Sequence, residues 1–274
     1  MSMNYQGKTV WITGASSGIG EALAKEWAAR GANIILSGRN EDRLASIASQ
    51  LDTQVMVEPF DVRDYAALGA ATRRAANWQS GGVDIAVANA GISQRSRALN
   101  TDMRVYQDII DIDLTAQIAF SQGLIGHMAG RGSGSLLFVS SIAGKVGVPM
   151  RTAYCAAKHG LLGYADALRA ELSQSGVSVH NIVPGSIATN VSRNALGADG
   201  SERGRSDKHI DEGISPGEAA TTIIDAFEAG EREIIVARGA ESALGEARRT
   251  PDAMFDQVAG MVAAGYMEAL EAED

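Results

Sequence analysis

A tyrosine, a lysine and a serine in one short stretch could form a single proton-transfer site. Residues 139–158 read VSSIAGKVGVPMRTAYCAAK and contain Ser141, Tyr154 and Lys158. From about residue 151 onward the sequence predicts a helix, and residues four apart on a helix lie on the same face. An ammonium held close to a tyrosine favours the phenolate, so Lys158 could prepare Tyr154 to give and take a proton. Ser141 ends the apolar run SLLFVS, where its hydroxyl could hold a substrate carbonyl or alcohol oxygen.

The spacing of Tyr154 and Lys158 is also typical of the exposed face of an ordinary amphipathic helix. The assignment therefore depends on the elements that would position these residues and on a place for a second reactant.

A glycine-rich turn near the N-terminus could provide that place. The apolar run 8–13 predicts a buried strand, TGASSGIG follows at 13–20, and EALAKEWAARG predicts a helix that ends at Gly31. Glycines let the backbone turn tightly and approach a ligand, and the amides at a helix N-terminus attract a pyrophosphate. A tight turn without any ligand is the alternative. The residues predicted to bind a cofactor here are Gly14, Ser16, Ser17, Gly18, Ile19 and Gly20.

The end of the next predicted strand, 33–39, indicates which dinucleotide would bind. An acidic residue at this place binds the ribose 2′-hydroxyl of NAD(H), whereas an arginine accommodates the 2′-phosphate of NADP(H). The chain has Gly38 and then Arg39, with no carboxylate at the strand end. This favours NADP(H), unless Arg39 is only an exposed surface residue.

Strands and helices alternate along most of the chain, which predicts an α/β fold with a parallel sheet. The further strands are predicted at 54–62, 83–91, 133–141, 176–185 and 232–237, which makes seven. Their carboxyl ends would place the glycine-rich turn, Asn89 to Gly91, Ser141, Pro184 and Gly185 along one rim of the sheet. Open parallel sheets bind ligands at that rim.

Two segments fall outside the alternation. Residues 186–213 are polar and too long for an ordinary connection, so we expect a substrate loop that acts as a lid or is disordered. Residues 240–274 form a C-terminal tail with a predicted helical face that would serve as a core or dimer contact. The members of that face are Met254, Phe255, Val258, Met261, Val262, Tyr266 and Leu270.

Composition limits the classes of function. The net charge of −9 argues against a nucleic-acid partner or an anionic membrane surface, which would need clustered lysine and arginine. The single cysteine and four scattered histidines give no metal site and no intrachain disulfide. No 18-residue apolar span and no signal-peptide pattern occur, so we expect a cytoplasmic protein with a small-molecule partner.

Six motifs in order resemble the short-chain dehydrogenase/reductase family, in its short single-domain branch that prefers NADP(H). The resemblance covers about residues 7–237 of what we take to be one dinucleotide-binding domain, 1–274. The motifs are TGASSGIG at 13–20, DV at 61–62, NAG at 89–91, VSSIAG at 139–144, YCAAK at 154–158 and PGSIAT at 184–189. The fold that the resemblance implies is a Rossmann-type doubly wound, seven-stranded parallel sheet with helices on both faces.

The resemblance also implies roles for individual residues. Tyr154 would be the proton donor or acceptor, Lys158 would tune it and bind the ribose, and Ser141 would bind the substrate oxygen. The further residues implied to bind the cofactor are Asp61, Val62, Asn89, Ala90, Gly91, Pro184, Gly185, Ile187 and Thr189. Members of the family are commonly homodimers or homotetramers, which is the expectation for this chain.

Asp113 departs from the family pattern. In the stretch DIDLTA the family usually has an asparagine at this position, where it holds a water that links the lysine to solvent. Aspartate keeps an acceptor oxygen, loses the amide donor and adds a negative charge beside the expected position of Lys158.

The leading hypothesis is hydride transfer between NADP(H) and a carbonyl or alcohol substrate, with Tyr154 as general acid and base. The alternative is a regulatory NADP(H)-binding protein that has lost catalysis through Asp113. A sugar-nucleotide epimerase is disfavoured, because those relatives carry a longer C-terminal domain and the glycine spacing here is GxxxGxG.

Overall fold

The computed structural model of the protein describes residues 4–79 and 81–271. Its strands are β1 (Thr9–Thr13), β2 (Asn33–Gly38), β3 (Val55–Pro59), β4 (Ile85–Ala88), β5 (Gly134–Val139), β6 (Val177–Pro184) and β7 (Glu233–Val236). All neighbouring strands are parallel, in the order β3-β2-β1-β4-β5-β6-β7. The seven-stranded parallel sheet predicted from the sequence is thus confirmed.

The helices alternate with the strands. They are α1 (Gly18–Ala29), α2 (Glu41–Ala48), α3 (Tyr65–Ala76), α4 (Met103–Ile110), α5 (Ala116–Arg131), α6 (Thr152–Glu171), α7 (Lys208–Asp211), α8 (Pro216–Glu228), α9 (Gly239–Ala247), α10 (Asp252–Ala263) and α11 (Tyr266–Glu271). No helix in the described ranges is both long and apolar enough to cross a membrane.

Apolar residues on both faces of the strands hold the helices against the sheet. In β1, Val10 and Ile12 join the core beneath α1, α2 and α8, whereas Trp11 joins the core beneath α3, α5 and α6. Side chains alternate between the two faces of a strand, so a strand buried on both faces needs a continuous apolar run. All five residues of β1 are buried.

The chain reverses its direction of winding between β1 and β4. From β1 the sheet extends through β2 to β3 on one side, and through β4 to β7 on the other. The loops that leave β1 and β4 therefore diverge, and a crevice opens between them at the carboxyl ends of the strands.

Helices α4 and α5 are separated by one interruption, at a place that no residue pattern indicates. Gly123 and Gly126 do not break the helix, because both lie inside the continuous α5. The interruption is a single π-helical turn, Asp111–Thr115, between α4 and α5. A π turn adds a residue to the helical repeat and is often found at functional sites. Here it carries the fully buried Asp113.

The segment 186–213, predicted as a lid or a disordered loop, is folded against the rest of the protein. Leu196 forms bridges with Gln94 and with Glu202, and Ile187 forms one with Ile214. Ile187, Ala195 and Ile210 are buried. These apolar residues are widely spaced in a polar sequence, so their contacts could not be predicted from local composition.

The predicted apolar face of the tail is only partly packed. Phe255 and Val262 of α10 are buried, and the Arg169 guanidinium of α6 lies 4.1 Å from the centroid of the Phe255 ring. The other members with described side chains are largely exposed, namely Met254, Val258, Met261 and Tyr266. The side chain of Leu270 and residues 272–274 lie outside the described part of the chain.

Candidate active site

A cleft of about 440 Å³ lies at the carboxyl ends of β1, β4, β5 and β6. Nearly all of the site residues predicted from the sequence line it. They are Gly14, Ser16, Ser17, Gly18, Ile19, Arg39, Asp61, Val62, Asn89, Ala90, Gly91, Asp113, Ser141, Tyr154, Lys158, Pro184, Gly185, Ile187 and Thr189. Gly20 does not line the cleft and instead packs beneath it.

Close backbone packing in the glycine-rich turn leaves no room for a side chain at Gly14 or Gly20. Gly14 and Gly18 have positive φ angles of 66° and 58°. A Cβ atom at Gly14 would lie 2.8 Å from Ala90 Cα, and one at Gly20 would lie 2.4 Å from the Gly14 carbonyl oxygen. Since real Cβ contacts are longer, only glycine fits at these positions.

Hydrogen bonds tie this turn to the loop after β4. The Asn89 side-chain amide donates to the Thr13 carbonyl at 2.9 Å, and Thr13 Oγ1 accepts from the Asn89 and Ala90 amides at 3.0 and 3.1 Å. Helix α1 begins directly after the turn at Gly18, with Ser17 as its N-cap. The Ser17 hydroxyl makes no capping bond, so it does not occupy the amides of the first helical turn. Those amides have no partner within the helix and can bind an anion.

Tyr154 and Lys158 lie side by side on α6. The Lys158 ammonium is 5.7 Å from the centroid of the Tyr154 ring. Lys158 is buried and donates a hydrogen bond to the Val139 carbonyl at the end of β5, at 2.9 Å. The Ser140 hydroxyl donates to the Lys158 carbonyl at 2.9 Å, which fixes α6 against the strand end. Tyr154 remains partly exposed to the cleft.

Ser141 follows the same strand end. Its Oγ caps the short helical turn Ile142–Gly144 by accepting from the Ala143 amide at 3.1 Å. The Ser141 hydroxyl also points to the Pro184 carbonyl, but at 3.4 Å this hydrogen bond is long and weak. The hydroxyl proton can therefore be redirected to a ligand oxygen in the cleft.

Asp113 forms a buried ion pair with Lys158. Its Oδ2 lies 3.3 Å from the Lys158 ammonium, and its Oδ1 accepts from the Ile92 amide at 2.8 Å. The contact of Oδ2 with Lys158 lacks hydrogen-bond geometry, so this fully buried oxygen has no hydrogen-bond partner among the described residues. Burial raises the pKa of Asp113, and the charge of Lys158 and the Ile92 amide oppose that rise.

Two basic residues stand at the far end of the cleft. Arg39 is exposed beside a recess of about 610 Å³ that Ser16 and Asn40 also line. Within the described residues, its guanidinium makes no hydrogen bond or ion pair. Arg63 pairs with Asp61 at 2.8 Å, and its hydrogen bonds hold the pKa of Asp61 below the usual value.

Sequence reasoning missed several residues that line the cleft. Arg63 adjoins the predicted Asp61, and Arg151 comes three residues before Tyr154, so each could have been found from its position beside a motif. Asn190, Asn194 and Glu202 come from the folded segment 186–213 and carry no sequence signal. Among the described residues, no group of three or more histidine, cysteine, aspartate or glutamate residues could hold a metal ion.

Residues 8–199 match the family model of short chain dehydrogenases. The chain is 35% identical to the dehydrogenase/reductase SDR family member 7B of Xenopus laevis over 241 residues, which cover 85% of this chain and 74% of the relative.

Solved structures share the fold. A short-chain dehydrogenase from Sphingobium yanoikuyae in complex with NADPH superposes with a TM-score of 0.75 at 24% identity, covering 95% of each chain. A short-chain dehydrogenase/reductase from Burkholderia phymatum in complex with NAD superposes with a TM-score of 0.79 at 20% identity, covering 91% of this chain and 98% of the other.

Proposed function

The chain belongs to the short-chain dehydrogenase/reductase family, and we propose that it is an NADP(H)-dependent oxidoreductase that interconverts a carbonyl compound and an alcohol. The observation that carries the proposal is the convergence of Tyr154, Lys158 and Ser141 on one cleft that also contains the glycine-rich turn. The residues that could transfer a proton and those that could bind a dinucleotide therefore line the same cleft.

The chain's residues fit a nicotinamide dinucleotide. A side chain at Gly14 or Gly20 would fill the turn, and the first amides of α1 lie open behind it. These features suit a pyrophosphate. When bound, the dinucleotide supplies or accepts the hydride.

The preference for NADP(H) rests on Arg39. Its guanidinium stands at the end of β2 without a hydrogen bond or an ion pair among the described residues, and a planar guanidinium suits a phosphate. Similar folds have been solved with NADPH and with NAD, so the fold alone does not decide the preference.

The proton is handled by three side chains. Tyr154 gives its hydroxyl proton to the carbonyl oxygen during reduction and takes the proton back during oxidation. The ammonium of Lys158, 5.7 Å from the Tyr154 ring, stabilises the phenolate that remains. The Ser141 hydroxyl, held only weakly by Pro184, donates a hydrogen bond to the substrate oxygen.

A binding protein without catalysis is the second candidate, and the Asp113 contact favours it. A carboxylate 3.3 Å from the Lys158 ammonium offsets part of the charge that would stabilise the Tyr154 phenolate. The two candidates differ in whether any carbonyl compound is turned over.

The substitution Tyr154→Phe tests the proposal. It removes the reacting hydroxyl and keeps the ring, so we expect kcat to fall by about 10²–10⁴-fold, the usual contribution of general acid–base catalysis. NADPH affinity should stay near the wild-type value, because the substitution leaves the glycine-rich turn intact. Tyr65→Phe removes an exposed hydroxyl that does not line the cleft and is the matched control.

The assay measures NADPH and NADH oxidation against ketones and aldehydes, together with NADPH binding by fluorescence. A Tyr154→Phe enzyme that kept a tenth of the wild-type kcat would refute the role of Tyr154. A wild-type protein that bound NADPH and reduced no carbonyl compound would favour the binding protein.

Assembly and location remain proposals. We propose a homodimer or homotetramer, supported by the exposed apolar side chains of the tail at Met254, Val258, Met261 and Tyr266. A solution mass near that of one chain, 28.6 kDa, would contradict it. The cytoplasmic location stays a prediction that cell fractionation would check.

A further inference from the structure

Three arginines surround one carboxylate beside the proposed reaction site. Asp207, in the segment 186–213, has Oδ1 2.6 Å from Arg203 and Oδ2 2.8 Å from Arg95. Arg151 is the third, and its nearest guanidinium nitrogen is 3.6 Å from Oδ2. All four side chains are mostly buried, with exposed fractions between 16% and 27%.

Asp207 cannot balance the charge of this cluster. Burial opposes its ionisation, but hydrogen bonds from Arg203 and Ser192 and the nearby Arg95 charge hold its pKa below the usual value. At neutral pH it is one anion among three cations. The exposed carboxylate of Glu202, which also lines the cleft, leaves an excess of one positive charge. This local excess contrasts with the net charge of −9 for the whole chain.

The guanidinium of Arg151 is the unsatisfied member of the cluster. Its side chain is only 18% exposed, its Nε is buried without a hydrogen-bond partner, and it makes no hydrogen bond to any described residue. An arginine has five N–H donors, and burying charged donors without acceptors is costly. The contact with Asp207 Oδ2 is longer than a hydrogen bond, and a closer guanidinium, that of Arg95, pairs with the same oxygen at 2.8 Å, although Oδ2 makes no hydrogen bond with any described residue.

Arg151 lies near Tyr154, the proposed proton donor. Arg151 is the N-cap residue of α6 and lines the cleft together with Tyr154. Arg151 and Tyr154 are three residues apart at the start of this helix. A small molecule whose oxygen meets Tyr154 can therefore reach Arg151 with another group.

We propose that Arg151 binds an anionic group of the substrate, a carboxylate or a phosphate, so that the substrate is a ketone or alcohol that carries such a group. This inference rests on the proposed function and specifies its substrate class. The planar guanidinium can bind either anion through two parallel hydrogen bonds. A neutral analogue leaves the buried guanidinium unpaired, and sites of this kind reject such analogues strongly.

A panel of matched compounds tests the proposal. Oxo acids of increasing chain length are compared with their methyl esters, and hydroxyacetone phosphate with hydroxyacetone. The wild-type enzyme should prefer the anionic member of at least one pair, and the pair identifies the group as carboxylate or phosphate. In Arg151→Gln, that preference should fall by about ten- to a hundredfold, as expected for the loss of charged hydrogen bonds.

Arg97→Gln is the matched control. Arg97 lies in the same region of the chain as Arg95, but it is exposed and does not line the cleft. Its substitution should leave the preference at the wild-type value. A wild-type enzyme that reduced neutral ketones as well as anionic ones would overturn the inference and leave the proposed function standing. An equal loss of preference in both variants would overturn it as well.

A binding measurement separates this inference from the proposed function. Hexanoate is titrated calorimetrically into each protein, with and without saturating NADP⁺. Binding to the wild type and to Arg97→Gln, with about tenfold weaker binding to Arg151→Gln, supports the anion site even if no carbonyl compound is turned over. Equal binding to all three proteins, or no binding to the wild type, contradicts it.

Discussion

Asp113→Asn is expected to shift the pH dependence of alcohol oxidation to lower pH. Oxidation needs Tyr154 as a base, and the Lys158 ammonium favours the phenolate that acts as that base. The Asp113 carboxylate lies 3.3 Å from the ammonium and offsets part of its field. Asparagine removes this charge, keeps an oxygen for the Ile92 amide and returns the amide donor.

The separations in the structure set the size of the effect. An ammonium 5.7 Å from the tyrosine ring interacts with a phenolate by about 3 kcal/mol at an effective dielectric constant of about 20. Asp113 offsets only part of that interaction, so the change in interaction energy expected from Asp113→Asn is smaller than about 3 kcal/mol.

The assay is the rate of alcohol oxidation at saturating NADP⁺ across the alkaline range, measured for the wild type, Asp113→Asn and Asp111→Asn. Asp111 lies two residues away on the same π turn but does not line the cleft, so its substitution should leave the profile in place. A shift of Asp113→Asn to higher pH would refute the electrostatic reasoning. Superimposable profiles would mean that the aspartate acts only as a hydrogen-bond acceptor.

Two further predictions concern cofactor choice and stability. Arg39→Asp should weaken NADPH binding by about 1.5–3 kcal/mol for the lost charged hydrogen bonds and leave NADH binding equal or better; an unchanged preference in fluorescence titrations would make Arg39 a surface residue. Burial lowers the pKa of His180 from 6.5 in the unfolded chain to about 4 in the folded protein. The neutral ring therefore contributes stability at a pH above 6.5, and this stability is lost as the pH falls towards 4. That loss, about 3 kcal/mol at most, should be smaller in His180→Asn when urea unfolding is compared at pH 7 and pH 4.

The sheet and most of the cleft could be predicted from the sequence because local patterns determine them. A buried strand, a glycine-rich turn and an amphipathic helix follow one another within residues 8–31, and this order alone places the turn at the carboxyl edge of a parallel sheet. Tyr154 and Lys158 share a helix, so their proximity follows from their spacing. Such features need no knowledge of distant parts of the chain.

The electrostatic details depend on contacts between distant segments and could not be predicted. The sequence shows that Asp113 departs from the family pattern, but its burial depends on a π turn that no residue pattern predicts. The surroundings of Arg151 follow from the fold of segment 186–213, which places Asp207 closer to Arg95 and Arg203 than to Arg151. In the tail, helical spacing predicted one apolar face, yet of its members with described side chains only Phe255 and Val262 are buried.

The distribution of charge along the cleft explains how an acidic protein could handle two anionic reactants. Salt screens exposed charges beyond about 8 Å at physiological ionic strength, so the net charge of −9 has little influence inside the cleft. The charges that a ligand would contact are local: Arg39 lies at one end, where Arg63 is paired with Asp61, and Arg151 lies beside Tyr154. Between them, Lys158 and Asp113 form a pair with no net charge when both are ionised. Such a pair would leave an anionic substrate to be held by Arg151, while the proton moves between Tyr154 and the substrate oxygen.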